Sequence, residues 1–328
     1  MRTIDQSQTC QLCPRLCGAN RLAGQRGFCG ATDTIKIARA ALHMWEEPCI
    51  SGERGSGTIF FSYCPLRCSY CQNALLATGE QGAVVTQQRL VDVCLELQAQ
   101  GALNINMVTP THYADTLRCV IASAKTQGLS IPIVWNTSGY ERVEQIEANK
   151  GYVDIYLSDF KYADSTLAQR YSSAPDYPQV ALSALDKMVE CVGLPQFDEI
   201  DGQPRLIKGV IVRHLLLPGA LENSQQVVKL LHERYGDAIL LSLMNQYTPL
   251  VTTRAQAGDT RAQRTLEACP ELGESAEEAA YEALLDYADE LGCEDYYWQD
   301  GSANLESFIP DFDLTGVEVS RKRESGAI

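Results

Sequence analysis

From residue 58 onward, short apolar runs alternate with stretches whose apolar residues recur every three or four positions. The runs at 58–62, 103–108, 131–135, 153–158, 206–214 and 239–244 have the length of strands covered on both faces, and they predict six strands. Between them, 86–100, 113–127 and 141–149 read as helices closed by Gly101, Gly128 and Gly151, and 176–192 and 224–235 continue the pattern. Strands alternating with helices pair in parallel through right-handed crossovers, so the expected fold is α/β, a full or partial β/α barrel. Six units leave such a barrel open.

The flanks break this rhythm. Residues 1–57 carry cysteines and glycines first, then TIKIARAALHMWEEPCISGERGSG, an extended segment entering a glycine-rich turn. They are expected to form a cysteine-rich, metal-binding extension, with the barrel at 58–250 and a C-terminal excursion and helix packing on it at 251–328. Residues 196–204 are polar and turn-rich and read as a loop between units. Residues 250–275 are poorly periodic and read as a lid or surface excursion. A last helix is expected at 276–291, with Ser275 and Glu278 at capping-box spacing and Gly292 at its end. Its packing face would be Ala280, Leu284, Tyr287, Ala288 and Leu291. Between Glu267 and Asp300 there is no Lys or Arg, an acidic strip read as a solvated helix face.

Composition narrows the function. At 328 residues and 45% hydrophobic, the chain can bury a large core. A net charge of -15 opposes binding to polymeric nucleic acid, which depends on Lys and Arg displacing counterions. The opening MRTIDQSQTC has no apolar signal region, and no run of eighteen or so apolar residues occurs, so a soluble, cytoplasmic protein without a membrane partner is expected. Thirteen cysteines in that setting point to metal binding rather than disulfides.

The cysteines sort into two groups and a remainder. Cys94 falls in the apolar repeat of Leu90, Val93 and Leu97 and reads as helix core, as do Cys119 and Cys191. Cys64, Cys68 and Cys71 stand in IFFSYCPLRCSYCQN with the spacing C-x3-C-x2-C, and no fourth cysteine follows before Cys94. Four thiolates fill the coordination of a four-iron cube, whereas three leave one iron open to bind a ligand and pass it an electron. Zinc held by three cysteines and a histidine is the alternative, for which His43 and His112 lie far off in sequence.

This loop resembles that of the radical S-adenosylmethionine (radical SAM) superfamily, whose fold is a partial (β/α)6 barrel. The segments GSGTIFFSYC, LQAQGALNINMVTPTHY, VWNTSGYE, DIYLSDFKY, VIVRHLLLPG and LSLMNQY are similar to the branch of pyruvate formate-lyase activating enzyme homologues. The resemblance implies a [4Fe-4S] cluster on Cys64, Cys68 and Cys71, with SAM chelating the fourth iron and yielding a 5'-deoxyadenosyl radical on reduction. It implies an oxidoreductase, an electron donor such as flavodoxin or ferredoxin, and a protein or small-molecule substrate; a glycyl-radical-enzyme activase would take its hydrogen from a backbone glycine of a partner. Tyr63 and Pro65 stand where Gly and Asn are usual, and Tyr63 removes a permissive backbone position.

By the same resemblance, Thr109 replaces a Gly-Gly-Glu segment that holds the SAM amino group, and Asn136 and Thr137 match residues near the SAM carboxylate and a monovalent cation. Asp159 and Lys161 match an Asp-x-Lys pattern in which the lysine neutralises a carboxylate, and Arg213 at the next strand end reaches a carboxylate of substrate or cofactor. Tyr70 would lie beside adenine or shield the cluster. Asn245, Gln246 and Tyr247 depart from the Pro-Tyr-His of activating enzymes. His112 reads as helix packing, and Trp45 and Trp135 as core or cavity wall.

CQLCPRLCGANRLAGQRGFCG separates Cys10, Cys13, Cys17 and Cys29 by two, three and eleven residues. Four thiolates with no nearby histidine make a closed site, for zinc or for a second iron-sulfur cluster that relays electrons. Against a radical SAM enzyme stands a non-catalytic iron-sulfur protein for electron transfer or sensing, which has no need of an open three-cysteine loop in a barrel.

Overall fold

A computed structural model describes residues 9–299 and 310–318. After the cysteine-rich start, the chain forms β1 (Lys36–His43), the single turn α1 (Pro48–Ser51), β2 (Ser56–Phe61), the short α2 (Ala74–Thr78) and β3 (Ala83–Val84). The repeating part follows: α3 (Gln87–Ala99), β4 (Ile105–Val108), α4 (Ala114–Thr126), β5 (Ile133–Thr137), α5 (Val143–Ala148) and β6 (Ile155–Asp159). It continues through α6 (Ser165–Ser172), α7 (Tyr177–Val192), β7 (Gln196–Ile200), β8 (Gln203–Leu215), α8 (Leu221–Tyr235) and β9 (Leu240–Met244). Last come α9 (Leu250–Gln256), α10 (Thr260–Ala268), α11 (Glu278–Glu290) and β10 (Tyr297–Trp298).

The strands lie in the order β10-β9-β8-β6-β5-β4-β2-β1-β3, with β7 on β8. From β2 to β9 the six neighbours run parallel, while β1 turns back antiparallel on β2. The sheet does not close, so the architecture is a mixed α/β partial barrel of six parallel strands, as the alternating pattern predicts. Strand alternation divides the side chains between two layers. Ile133, Trp135, Tyr156, Val210 and Val212 pack towards the helices, whereas Val134, Ile155, Leu157 and Ile211 form a separate apolar cluster inside the curve of the sheet.

That inner cluster is completed from below by the turn between β1 and β2. Cys49 and Ile50 of α1 pack into it. Asn104 donates to the Ile50 carbonyl at 2.8 Å and Arg205 to the Pro48 carbonyl at 2.9 Å. The segment 45–51 is therefore the floor of the barrel, and it carries Glu46 and Glu47 into the interior. Residues 310–318 cover the outer edge of β1, where Ala40 N–H bonds Thr315 and Leu314 N–H bonds Ala38.

Local chemistry starts and stops the helices. Thr86 caps α3 by accepting from Arg89 N–H, Asp164 caps α6 through Thr166 N–H, and Asp259 caps α10 through Arg261 and Ala262 N–H. Several expectations need correction. Residues 196–204 are a β-hairpin, not a loop: Asp201 and Gly202 have φ of 56° and 72°, the paired positive values that a two-residue hairpin turn requires. Residues 250–275 form α9, α10 and a 3-10 turn at Pro270–Gly273. The box between Ser275 and Glu278 does not form, because Glu277 is the N-cap of α11 and makes no side-chain capping bond. Leu284 and Ala288 pack as expected, joined by Tyr281. Cys94 is buried core, but Cys119 is exposed and Cys191 half-buried. Among the described residues no helix is long and apolar enough to cross a membrane.

Candidate active site

A cavity of about 270 Å³ lies at the C-terminal ends of the parallel strands. Every one of the six contributes to its wall, from the loop after β2, which carries Cys64, Cys68 and Cys71, to Met244 and Gln246 at the end of β9. The structure thus brings together all the site residues expected on the barrel: Tyr70, Thr109, Asn136, Thr137, Asp159, Lys161 and Arg213 face the same space as the three thiols.

The loop owes its shape to two left-handed residues and to arginines that bind its carbonyls. Tyr63 and Arg67 have φ of 75° and 54°. Tyr63 therefore occupies the backbone region for which glycine is suited, and its ring is held by edge contact with His112 and by Lys36 beneath it. Arg15 donates to the Pro65 and Leu66 carbonyls at 3.1 and 3.3 Å and to the Ser172 carbonyl at 2.8 Å. Backbone N–H groups point at sulfur: those of Leu66 and Arg67 at Cys64, and that of Asn73 at Cys71. Burial, then the charge of neighbouring Cys68, pushes Cys64 up to about 11 and Cys71 to about 12. Thiolates become stable there at neutral pH when a cationic centre binds them.

Tyr70 is buried between Cys68 and Cys71, and its hydroxyl accepts from Tyr162 at 2.9 Å. Thr109 has a φ of 60°, strained for a β-branched residue, and its N–H bonds the Asn136 carbonyl at 2.8 Å, which ties the end of β4 to that of β5. His112 is buried, with Nε2 on the Ser62 carbonyl, and burial lowers it to about 3, so it is a neutral packing residue. Trp135 is core and donates to Glu141, while Trp45 stands at the cavity wall.

Asp159, Lys161 and Arg213 form one network. Lys161 Nζ lies 2.7 Å from Asp159 Oδ2, and Arg213 Nε lies 3.1 Å from Asp159 Oδ1. Burial raises Asp159, but the two cations outweigh it and hold the carboxyl below the usual range. The other Arg213 amines reach Asn136 Oδ1 at 2.8 Å and Glu46 Oε2 at 3.4 Å.

Glu46 lines the cavity and Glu47 is buried next to it, an acidic pair that sequence reasoning missed. The available signal was an acidic pair set in an otherwise apolar stretch just before Pro48. Glu46 accepts from Asn106 at 2.8 Å, and burial raises its carboxyl although Arg213 opposes it. Burial, reinforced by Glu46 and Asp159, pushes Glu47 up to about 7 against Arg213. Glu47 Oε2 and Asn106 Oδ1 are buried acceptors without a protein donor.

Among the described residues no three His, Cys, Asp or Glu side chains form a group that could hold a metal ion. A single zinc draws its sulfurs to within about 3.8 Å of each other, given a Zn–S bond near 2.3 Å, whereas a cube of iron and sulfide takes them further apart. Three thiols facing one cavity, with amides on the sulfurs and room beside them for a ligand, fit an iron-sulfur cluster with an open position.

No family model matches the chain. Over 252 residues it is 27% identical to Uncharacterized protein MJ0674 of Methanocaldococcus jannaschii, covering 74% of this chain and 67% of that one. Among solved structures, SuiB of Streptococcus suis bound to its precursor peptide SuiA aligns with a TM-score of 0.47 and 16% identity over 72% of this chain. The chain spans 46% of SuiB, less than half its length. A radical SAM methyltransferase from Sphaerobacter thermophilus aligns with a TM-score of 0.47 and 13% identity, covering 75% of this chain and 67% of that one. At these scores the functional reading rests on the chain's own residues.

Proposed function

We propose that the protein is a radical SAM enzyme in which Cys64, Cys68 and Cys71 hold a [4Fe-4S] cluster with one open iron. The observation that carries this reading is the placement of all three thiols of a C-x3-C-x2-C loop on one strand-end cavity, which Lys161 and Arg213 also line. When bound, the cluster and SAM supply a 5'-deoxyadenosyl radical for hydrogen abstraction.

The chain's own groups bind, orient and exclude water. Lys161 gives one N–H to Asp159 and keeps two for a ligand carboxylate. Arg213 is fixed by Asp159, Asn136 and Glu46, so its remaining N–H groups meet a ligand in a set orientation. Asn136, Thr137 and Thr109 offer polar atoms at the ends of β5 and β4, on the side where SAM would lie. Tyr70 and Leu66 keep water from the cysteine loop. The acidic floor at Glu46 and Glu47 lies on the substrate side. The resemblance to activating enzymes favours oxidoreductase chemistry on a protein substrate, with a glycine of a partner as hydrogen donor and flavodoxin or ferredoxin as reductant. Cys10, Cys13, Cys17 and Cys29 make a second, closed thiolate site, for zinc or another cluster.

The test is anaerobic: reconstitute the protein, add SAM and dithionite, and quantify 5'-deoxyadenosine against Cys68→Ala. Formation in the wild type alone is expected. Its absence from a wild type whose cluster is intact and reducible would overturn the reading.

A further inference from the structure

We infer that Cys10, Cys13, Cys17 and Cys29 hold a second four-iron cluster, rather than zinc, that feeds electrons to the three-cysteine loop. The role as feeder rests on the function proposed above; the presence of the cluster does not.

The four thiols sit in one pocket of backbone. Cys13 and Cys29 are buried, Cys10 half-buried and Cys17 exposed. Arg21 places a guanidinium nitrogen 3.9 Å from Cys10 Sγ, and the Gly27 backbone runs so close that an added Cβ would come within 2.4 Å of Cys17 Sγ. Amides are aimed at the sulfurs, from Arg15 to Cys13, from Ala19 and Phe28 to Cys17, and from Ala31 to Cys29. In each case one of the donors is two residues past the cysteine. The same offset recurs in the other group, from Leu66 to Cys64 and from Asn73 to Cys71. Amides on sulfur stabilise thiolates and tune the potential of iron-sulfur groups.

One observation favours iron over zinc: the quartet is built against the triad. Arg67 donates to the Phe28 carbonyl at 3.1 Å, next to Cys29. Gly30 lies against the ring of Tyr63, next to Cys64, and Arg15, between Cys13 and Cys17, binds the carbonyls of Pro65 and Leu66. A purely structural zinc has no need of this direct contact with a redox loop. Four thiolates leave no open iron, so the group passes electrons and does no chemistry on SAM. One electron from a protein donor enters at the exposed Cys17 edge, reduces the quartet's cluster by one, and leaves it for the cluster on the triad, so that the quartet returns to its oxidised state.

The decisive variant is the full chain with Cys64→Ala, Cys68→Ala and Cys71→Ala, purified without added metal and assayed for iron, acid-labile sulfide and zinc. About four irons and four sulfides per chain, no stoichiometric zinc, and an electron paramagnetic resonance signal after dithionite are expected. One zinc and no iron would overturn the inference. If the wild type holds about four irons and the triple variant none, the second cluster fails while the SAM reading stands. If both hold the same four irons, the SAM reading fails and the second cluster stands. Should the variant not fold, the wild type decides, with about eight irons expected against four irons and a zinc. Feeding predicts magnetic interaction: the spectrum of the reduced wild type should differ from the sum of the triple variant and a Cys10→Ser/Cys17→Ser variant. A simple sum would remove the relay.

Discussion

Glu141 and Asp159 are carboxylates on neighbouring strand ends, the first buried and the second half-buried, and the protein satisfies them in opposite ways. Asp159 faces the cavity and is gripped by Lys161 at 2.7 Å and Arg213 at 3.1 Å. Glu141 lies just beyond β5, and its Oε1 accepts from Thr111, Thr137 and Trp135 at 2.6, 2.7 and 3.2 Å, all neutral donors. Burial acts on both. Cations overcome it at Asp159, whose carboxyl stays below its ordinary range, whereas three neutral hydrogen bonds do not at Glu141, whose carboxyl is raised. The difference separates a rivet from a site. Glu141 ties the loop after β4 to β5, while Asp159 holds two cations at the cavity wall.

The largest effect is expected at Asp159. Asp159→Asn leaves Lys161 without its carboxylate and Arg213 with Glu46 and Glu47 alone, and breaking so sheltered a network should cost towards the value for a fully buried pair, about 3–5 kcal/mol. Urea unfolding at pH 7 should show that loss, and 5'-deoxyadenosine formation should collapse with it. A loss below about 1 kcal/mol, as for an exposed pair, would break the comparison.

Next comes the floor. Glu47 is pushed up to about 7, so the native state binds its proton more tightly than the unfolded chain, where the group titrates near its ordinary 4.5. Its contribution to stability is fully present below that lower value and is lost as pH rises through about 7. Each tenfold gain in proton affinity is worth about 1.4 kcal/mol, so wild type should lose about 3 kcal/mol across this window relative to Glu47→Gln. Urea midpoints of the two proteins at pH 5 and pH 8 measure the difference. Parallel profiles would mean that a cation already neutralises Glu47 in the folded state.

Glu141→Gln should be milder, because the amide oxygen still accepts the same donors. Glu141 also has a raised carboxyl, so the sign is that of Glu47: the variant should gain on wild type as pH rises above about 4.5. At pH 8 the glutamine variant should be the more stable of the two by urea unfolding. Destabilisation at pH 8 as large as that of Asp159→Asn would mean that Glu141 is held ionised.

Much of this contrast was legible in the sequence on one side only. Asp159, Lys161 and Arg213 sit at strand ends, which open on the mouth of a barrel, and it was the resemblance that singled them out there. Glu46 and Glu47 were not legible, because nothing in local periodicity says that a turn between an edge strand and β2 folds back beneath the sheet. Glu141 reads in the sequence only as the start of a helix, since its partners Thr111 and Trp135 lie 30 and 6 residues away. The hairpin at 196–204 was readable after all: Asp201-Gly202 is a strong two-residue turn signal, masked by the polarity of a strand that faces solvent. The helices at 250–268 escaped because they are short and present few apolar residues. Tyr63 has a φ of 75°, the left-handed region that suits glycine, which its residue type alone does not reveal.

The smallest effect tests the rivet itself. Thr111→Val keeps the shape of the side chain and removes one of three donors to Glu141 Oε1. The acceptor keeps Thr137 and Trp135, so the loss should be near that of one neutral hydrogen bond, about 1 kcal/mol by urea unfolding. Thr137→Val should cost about the same. Because the two share one acceptor atom, the double variant should cost more than the sum by about 0.5 kcal/mol or more, as the last donor alone can no longer satisfy a buried carboxyl. Strict additivity would mean that water already supplies the missing bonds, and Glu141 would then belong to the wet cavity beside Asp159.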